Sequence, residues 1–554
     1  MRHIKGIIRL AVLVAAASIM AAGSPAAAVT RTWTGSVNPE WFYALNWTPA
    51  ETPAYSDVLL INNGSPLTHS YVSVGNDGAI TFNGPAASGT FGYSIFAVGY
   101  NGSGALSISN GAQVANINGQ IGSQVGSTGT VTVDNGTWTN SGDLHVASQG
   151  NATLDILSGG AVSNTAGYIA HWGGSLGTVT VAGAGSTWTN SGKLYVGYGG
   201  AGALSISNGG LVSSSNGTSI AISSDGFGTV TVDNASWNNS YLNVGYYGSG
   251  ELTISNGGQV ENTDARIAYK SGSNGTATVD GAGSSWTSSE GLYVGGSSGA
   301  PGGTGTLNVS SGGQVNVADT LNVWGAGTIR LDSGSISATT IINQGQIMGV
   351  GQMGGDLTNI GDVSPGLSVG MLTVDGDYTQ DSSGTLLIEL GGTAPGSEHD
   401  VLEVTGAASL DGELNVVLDG YTPAAGDSFA VMTYASRTGE FADTTGWLFD
   451  GNKALVKVYG ANALTLTATY QGDVTLDFCV DGLDYVAWSS NYLTGDTWQE
   501  GDLNADGIAD GLDYVIWSSN YLQGCPGLPG VVPEPGALSL LALGVLGLRR
   551  RSRA

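Results

Sequence analysis

A repeat of about 49 residues occupies the middle of the chain. The segment Gly-Thr-Val-Thr-Val at 129–133 recurs at 177–181 and 228–232, and Gly-Thr-Ala-Thr-Val follows at 275–279. A tryptophan comes after each copy, with spacings of 50, 49 and 49 residues: Trp138, Trp188, Trp237 and Trp286. Because a unit of this size buries its apolar face only against its neighbours, a fixed period predicts a solenoid.

Each unit contains two strand-rich halves. Ala-Leu-Ser-Ile-Ser-Asn-Gly occurs at 105–111 and 203–209, with a variant at 251–257. Leu106 and Ile108 alternate with serine, which is typical of strands that send every second side chain inward. A half of about 24 residues has the length of one coil of a three-sided solenoid. We therefore predict a mainly β chain forming a right-handed parallel β-helix, with asparagines at its left-handed turns: Asn110, Asn208 and Asn256.

The aromatic residues of the repeat allow two interpretations. A tryptophan at one register of every unit can pack in the core or over a coil edge, which we favour. Alternatively, a row of rings on the surface can stack against sugars. The same alternatives hold for the tyrosines that follow each tryptophan: Tyr195, Tyr246 and Tyr293.

The stretch from about 96 to 320 resembles the β-helical repeat shared by PEP-CTERM proteins and autotransporter passengers. We assign 96–345 to β-helix repeats, and 29–95, which contains Trp41 and Trp47, to an N-terminal β cap. Residues 346–470 resemble the C-terminal region of autotransporter-like passengers. That resemblance implies further coils and a β-rich cap, which a solenoid needs to protect its exposed ends.

The first 28 residues have the order of a signal peptide. Basic residues come first, an apolar run follows at 10–22, and small residues stand at 26–28. The apolar run is too short to span about 30 Å of hydrocarbon. We predict export with cleavage near Ala28.

The last residues also form three parts. Val-Pro-Glu-Pro at 532–535 precedes an apolar stretch at 536–548 and then four arginines. On physical grounds this is a short stop-transfer segment. The order resembles the PEP-CTERM sorting signal, which an exosortase recognises and removes. The resemblance implies a linker with the motif at 525–535, a sorting tail at 536–554, an exosortase as partner during processing, and transient membrane insertion through 536–548.

The region between these terminal segments is strongly acidic. It contains eight of the 15 basic residues and 42 of the 43 acidic residues, and therefore has a formal charge of about −34. Such a surface repels nucleic acid and anionic lipid, and it favours metal cations. We expect no nucleic-acid partner.

A short segment near the C-terminus repeats at an offset of 29 residues: 481–493 returns as 510–522 with one substitution. Before the second copy, oxygen-bearing residues alternate and Gly507 stands at the turn. Ca²⁺ takes six to eight hard oxygen ligands, and positions 1, 3, 5, 7, 9 and 12 of a twelve-residue loop can supply them. The second loop thus offers Asp502, Asn504, Asp506, the carbonyl of Ile508, Asp510 and Asp513.

The first loop has the same spacing but lacks the turn glycine, because Phe478 stands there. We expect this loop to bind calcium less tightly than the second. Its predicted ligands are Asp473, Thr475, Asp477, the carbonyl of Cys479, Asp481 and Asp484.

Two such loops, each followed by one helix, resemble a type I dockerin over 471–524. The resemblance implies bound Ca²⁺ and a cohesin-like protein partner. The positions of the family's cohesin contacts, usually small hydroxyl residues, are Gly-Leu at 482–483 and at 511–512 here. Cys479 and Cys525 lie near the start and just past the end of this segment, which suggests a disulfide.

Parallel β-helices include polysaccharide-cleaving enzymes, which need clustered acids or calcium carboxylates with a basic residue. The histidines and cations of the repeat region, including His145, His171, Lys193 and Arg266, form no recognisable catalytic pattern. We predict an exported, non-enzymatic structural protein of the cell surface or extracellular matrix, associated with exopolysaccharide. The alternatives are a carbohydrate-binding adhesin and a dockerin-bearing component of a polysaccharide-degrading assembly.

Overall fold

The computed structural model describes residues 29–33, 47–50, 58–61, 67–68, 72–74 and 78–526. The predicted signal peptide, Trp41 and the C-terminal sorting tail lie outside these residues. The described chain is mainly β and forms a parallel β-solenoid of about 14 turns, with two short helices at its C-terminal end. The predicted parallel solenoid is therefore confirmed.

Three parallel sheets run along the solenoid, and each coil adds one strand to every sheet. The strands of the first sheet are Thr30–Trp33, Val58–Ile61, Gly78–Asn83, Ser103–Ser109, Thr128–Asp134, Asn151–Leu157, Leu176–Ala182, Ala201–Ser207, Phe227–Asp233, Ser249–Ser255, Asn274–Asp280, Thr304–Ser310, Asp362–Pro365, Thr385–Leu390, Glu413–Leu418 and Asp443–Thr445. The strands of the second sheet are Leu67–Thr68, Thr137–Asn140, Ala161–Asn164, Thr187–Asn190, Leu211–Ser214, Ser236–Asn239, Gln259–Asn262, Ser285–Ser288, Gln314–Val317, Met371–Asp375, Val401–Val404 and Ser428–Thr433. The strands of the third sheet are Val72–Val74, Leu144–Val146, Gly167–Ile169, Leu194–Val196, Thr218–Ile220, Tyr241–Val244, Asp264–Ile267, Leu292–Val294, Thr320–Val323, Tyr378–Gln380, Ala407–Leu410 and Ser436–Gly439.

Four long strands bend from one sheet into the next. Ser88–Val98 and Gln113–Ile121 belong to the second and third sheets, whereas Gly327–Asn343 and Gln346–Asn359 pass through all three. The solenoid therefore continues without a break in its pairing across residues 327–359.

Inward side chains stack from coil to coil and form the core. Val131 lies opposite Leu106 of the preceding coil and Leu154 of the following coil, and all three are buried. Each such residue contributes roughly 1.5–3 kcal/mol on burial. The resulting apolar core is continuous from Val74 to Ala468, so the long body is held together by contacts between adjacent coils.

The period of about 49 residues corresponds to two coils of different size. Trp138 of one coil lies between Val114 and Val162 of its neighbours and is fully buried. A Cβ added to Gly119 would lie 3.0 Å from the Trp138 ring, and one added to Gly167 would lie 2.9 Å from the ring of the next tryptophan. Coils that carry tryptophan thus alternate with coils whose small residues leave room for it.

All four repeat tryptophans are fully buried, which confirms the core interpretation and excludes them as a sugar-stacking surface. The left-handed turns are also confirmed, since φ is 56° at Asn110, 53° at Asn208 and 52° at Asn256.

Buried asparagines form a hydrogen-bond network inside the solenoid, in addition to its apolar core. Asn164 accepts a hydrogen bond from Trp188 Nε1 at 2.7 Å and donates one to Asn190 Oδ1 at 2.7 Å. Asn116 and Asn262 pair with Trp138 and Trp286 in the same way, at 2.6 Å each. This network satisfies the indole N–H groups of Trp138, Trp188 and Trp286, which burial would otherwise leave unpaired.

Antiparallel strands close the C-terminal end of the solenoid. Ala463–Tyr470 pairs with Ser428–Thr433 and with Lys453–Tyr459, and Leu448–Phe449 adds a short hairpin. At the other end, Trp47–Thr48 lies antiparallel to Thr30–Trp33. No helix within the described ranges has the length and apolar character to cross a membrane.

Candidate functional site

The C-terminal segment contains two equivalent loop–helix units. Helix α1 spans Gly482–Ser490 and helix α2 spans Gly511–Ser519, with a 3-10 turn at Trp498–Glu500 between them. Asp481 and Asp510 cap the two helices, and each forms a capping box with the aspartate three residues later. Position 9 of each predicted calcium loop is thus a helix cap, and position 12 lies in the first helical turn.

The second loop is organised around its first and last carboxylates. Asp502 accepts hydrogen bonds from the backbone N–H of Asp506 at 3.2 Å and of Gly507 at 2.8 Å. Asp513 accepts from Leu503 N at 2.8 Å and from the N–H of its own helix cap. Gly507 adopts φ +87°, the left-handed conformation that the turn requires.

The first loop repeats this pattern. Asp473 accepts from Phe478 N at 2.9 Å, and Asp484 accepts from Thr475 N at 2.9 Å and Asp481 N at 2.8 Å. Phe478 adopts φ +68°. Because a side chain in this conformation costs about 1–2 kcal/mol, the missing glycine introduces strain at the turn.

The remaining predicted ligands lie on the outer side of the loops. Asp506 Oδ1 accepts from Ile508 N at 3.2 Å, and Asp477 Oδ1 accepts from Cys479 N at 3.0 Å. Asn504 donates to Asp506 at 2.9 Å. In the part of the chain that the structure describes, no three His, Cys, Asp or Glu side chains are gathered closely enough to hold a metal ion by themselves.

The first and last carboxylates of the two loops are unusually buried. Asp473, Asp484 and Asp513 are fully buried, and Asp502 is 3% exposed. Burial raises the pKa of Asp473, Asp484 and Asp513. Residues 471–526 contain no lysine, arginine or histidine. No basic side chain of the segment itself therefore offsets the negative charge of these groups.

Tryptophans connect the two units in a reciprocal manner. Trp488 Nε1 of α1 donates to the Asp510 carbonyl at 3.0 Å, and Trp517 Nε1 of α2 donates to the Asp481 carbonyl at 2.9 Å. A disulfide joins Cys479 and Cys525, whose Cα atoms are 4.5 Å apart. The suggested pairing of the two cysteines is thus observed, and the two loops form one small body.

A second candidate site lies on the outer face of the third sheet. His145, Tyr168 and Tyr195 occupy the same register in three successive strands and stack, with ring centroids 4.5 and 5.0 Å apart. The next two positions in this row are Ser219 and Asn243, after which Arg266 follows. The two small residues interrupt the row of rings and leave a groove of about 380 Å³, which we call the aromatic groove.

Two groups of residues form the walls of the aromatic groove. Tyr198, Ile222, Tyr246 and Tyr269 come from the turns that follow the third-sheet strands. The opposite wall is formed by Lys193 and Tyr241, with the Lys193 ammonium 5.6 Å from the centre of the Tyr241 ring. Tyr195 and Tyr246 therefore lie at the surface, whereas the tryptophans of the same repeats are in the core.

Three cations accompany these rings. Lys270 Nζ lies 4.0 Å from the centre of the Tyr269 ring, and Arg266 forms an ion pair with Asp264. Within the described ranges, neither Lys193 nor Lys270 forms an ion pair with a carboxylate. Hydrogen bonds to tyrosine hydroxyls raise the pKa of both lysines, so both are charged at neutral pH.

Sequence reasoning identified Lys193, Arg266 and Tyr195 only as separate residues. The register that aligns Tyr195, Ser219, Asn243 and Arg266 depends on the coil lengths, which vary between repeats. A three-row alignment of the strands Leu194–Val196, Thr218–Ile220 and Tyr241–Val244 would have shown the gap.

The fold defines the chain as a parallel β-solenoid protein with a small helical module at its C-terminal end. Residues 531–553 match the family model of the PEP-CTERM protein-sorting motif. The chain is therefore an exported, surface-sorted protein whose C-terminal tail is processed by an exosortase at the membrane.

Comparison with solved structures returns the crystal structure of a TibA fragment that TibC has hyper-glycosylated. It is 20% identical, with 60% of this chain and 97% of that chain covered and a TM-score of 0.35. None of the curated proteins matches this chain.

Proposed function

We propose that this protein is a non-catalytic rod of the cell surface or extracellular matrix, associated with exopolysaccharide and ended by a calcium-binding module. The observation that carries the proposal is a continuous solenoid of about 14 turns in a chain with a surface-sorting motif. A solenoid whose core is built from contacts between adjacent coils gives a long surface without needing an active site.

The calcium part of the proposal rests on the buried aspartates of the two loops. Burying ionised carboxylates without a counter-charge is costly. The side chains and carbonyls at positions 1, 3, 5, 7, 9 and 12 offer oxygen only, which suits a hard divalent cation. Ca²⁺ would be held in the second loop by Asp502, Asn504, Asp506, Ile508, Asp510 and Asp513, and in the first by Asp473, Thr475, Asp477, Cys479, Asp481 and Asp484.

Calorimetric titration of the full chain with CaCl₂ tests this module. We expect two binding events, the tighter in the second loop, where Gly507 forms the turn. Asp513→Asn should remove the tighter event and Asp484→Asn the weaker one. Asp496→Asn, an exposed aspartate outside both loops, is the matched control and should bind as the unchanged chain does. Absence of binding at millimolar calcium would refute the module.

The non-catalytic part rests on the chemistry of the repeat region. His145 and His171 approach through their Nδ1 atoms at 2.9 Å and stack on Tyr168. Burial, followed by the charge of His171, lowers the pKa of His145 to about 4. Both imidazole rings are therefore engaged in packing contacts. No carboxylate hydrogen-bonds to either ring among the described residues. New reducing ends or unsaturated ends released from pectin or alginate by the purified chain would contradict this assignment.

Association with exopolysaccharide is tested in the cell envelope of the producing bacterium. We expect the protein in the exopolysaccharide fraction, and its release when that polysaccharide is digested. Recovery only in the cytoplasm or culture medium would overturn the assignment.

A second candidate function is protein docking through the helical module. Leu483 and Val486 of α1, and Leu512 and Val515 of α2, are each more than half exposed. Equivalent apolar residues on two equivalent helices form a surface suited to a cohesin-like partner. Leu512→Asp should abolish capture of such a partner from the native envelope without changing calcium binding, whereas capture at an unchanged level would exclude the helices as the docking surface.

A further inference from the structure

The aromatic groove contains a concentration of positive charge that is unusual for this molecule. Only eight basic residues lie between the terminal segments, against 42 acidic ones. Two of the eight, Lys193 and Arg266, line this groove, and a third, Lys270, lies over the Tyr269 ring of its wall. Because the chain as a whole is strongly acidic, the unpaired lysines at this groove favour an anionic ligand locally.

Unpaired polar atoms also point to a ligand. Asn243 is 2% exposed and donates to Ser219 Oγ at 3.0 Å, but its Oδ1 has no partner among the described residues. Arg266 Nε, at the end of the groove, is likewise unpaired, as is Oδ1 of its ion-pair partner Asp264. Buried polar groups are normally satisfied, so an acceptor and a donor left unpaired at the floor and end of a groove suit a ligand that carries hydroxyls and anionic oxygens.

The rings supply the third element of recognition. The Tyr195 ring stacks on Tyr168 and lies in a T-shaped arrangement with Tyr198, and the next position in the row is Ser219, where the row is interrupted. From Tyr195 to Arg266 the groove crosses three strand spacings, about 14 Å. Aromatic faces with a few placed polar groups are the usual lining of a small-molecule site, and the apolar face of a sugar ring can stack on such a ring.

We propose that the aromatic groove binds an anionic saccharide chain, with a sugar ring on Tyr195, its acidic groups at Lys193 and Lys270, and its hydroxyls at Asn243. The inference rests on the proposed association with exopolysaccharide and assigns that association a site. The acidic group is a carboxylate of a uronic acid or a sulfate ester, since both present the anionic oxygens that ammonium and guanidinium groups recognise.

The binding is tested with the full chain and three saccharides: short oligogalacturonates, dextran sulfate oligomers and neutral dextran oligomers. Calorimetry in calcium-free buffer should show binding of at least one anionic oligomer and at least tenfold weaker binding of dextran. Added salt should weaken the interaction. Comparison of the oligogalacturonate with the dextran sulfate oligomer shows whether the groove prefers a carboxylate or a sulfate.

Variants locate the site. The double change Lys193→Gln and Lys270→Gln should weaken anionic binding at least tenfold, whereas Arg330→Gln, which removes one positive charge at an exposed position of the first sheet, should leave it unchanged. Ser219→Tyr extends the row of rings into the groove and should abolish binding, with circular dichroism showing that the variant remains folded.

Three results would overturn the inference: no binding of either anionic oligomer, equal binding of dextran, or full binding by the folded Ser219→Tyr variant. A chain that binds neither oligomer but still fractionates with the native exopolysaccharide would overturn the groove assignment and leave the proposed function intact.

Discussion

Removal of Asn164 tests whether the buried asparagine network stabilises the solenoid. Asn164→Ala would leave Trp188 Nε1 without an acceptor and Asn190 Oδ1 without its donor, both at buried positions. Each unsatisfied buried group costs about 1–3 kcal/mol, so we expect the free energy of local unfolding to fall by about 2–6 kcal/mol.

The chain offers a matched control in the next unit, where Ser214 occupies the equivalent position. Ser214 Oγ donates to Asn239 Oδ1 at 2.8 Å, but Thr218 Oγ1 also donates to that atom, at 2.5 Å. Trp237 Nε1 has no partner in the described chain even with Ser214 present. Ser214→Ala therefore creates no new unpaired indole, and the expected loss is about 0.5–1.5 kcal/mol.

Native-state hydrogen exchange read by mass spectrometry measures the two effects separately. Exchange of peptides from 161–190 should accelerate strongly in Asn164→Ala, while peptides from 211–239 should change little in Ser214→Ala. Peptides several coils away should be unaffected in both, because stability in a solenoid is local. Equal losses in the two variants would show that the hydrogen bonds to tryptophan do not carry the stability assigned to them.

Three further predictions concern the module and the row of rings. Changing both Cys479 and Cys525 to serine opens a loop with a sequence separation of 46 residues and should lower the unfolding free energy of the module by about 4 kcal/mol in denaturant titration; an unchanged midpoint would contradict it. Phe478→Gly should relieve about 1 kcal/mol of turn strain and tighten calcium binding by the first loop, and calorimetry showing weaker binding would disprove this. Because the folded pKa of His145 is about 4 and its ordinary value is 6.5, its neutral form stabilises the fold above pH 6.5. That stability, about 3 kcal/mol, is lost as the pH falls toward 4, and His145→Phe should abolish most of the loss in pH-dependent melting.

The solenoid could be predicted from the sequence because its coils repeat a visible pattern. The alternation at Leu106 and Ile108 indicates an inward-facing strand, and the regular spacing of tryptophan indicates the length of a coil pair. The alternation of large and small coils could not be read in the same way. It depends on Gly119 and Gly167 lying beneath tryptophan rings, which is a contact between residues about 20 positions apart.

The two candidate sites also differ in how far they could be predicted from the sequence. The predicted calcium loops are local, so their spacing could be read directly. In each loop the first and last carboxylates accept hydrogen bonds from backbone N–H groups of that same loop. The aromatic groove is not local, because its ends, Tyr195 and Arg266, are 71 residues apart in the sequence and meet only through the strand register.

The third repeat unit departs from the others both inside and outside the solenoid. Inside, Ser214 and Thr218 replace the asparagine and glycine of the earlier units, and atoms of Trp237 and Asn239 are left unpaired. Outside, the same coils carry Ser219 and Asn243, which interrupt the row of rings. Natural sequences tend to depart from their local sequence pattern at functional sites. Of the eight buried unpaired side-chain atoms in the described chain, five lie within 237–266, so the least regular coils of this rod are those that form its groove.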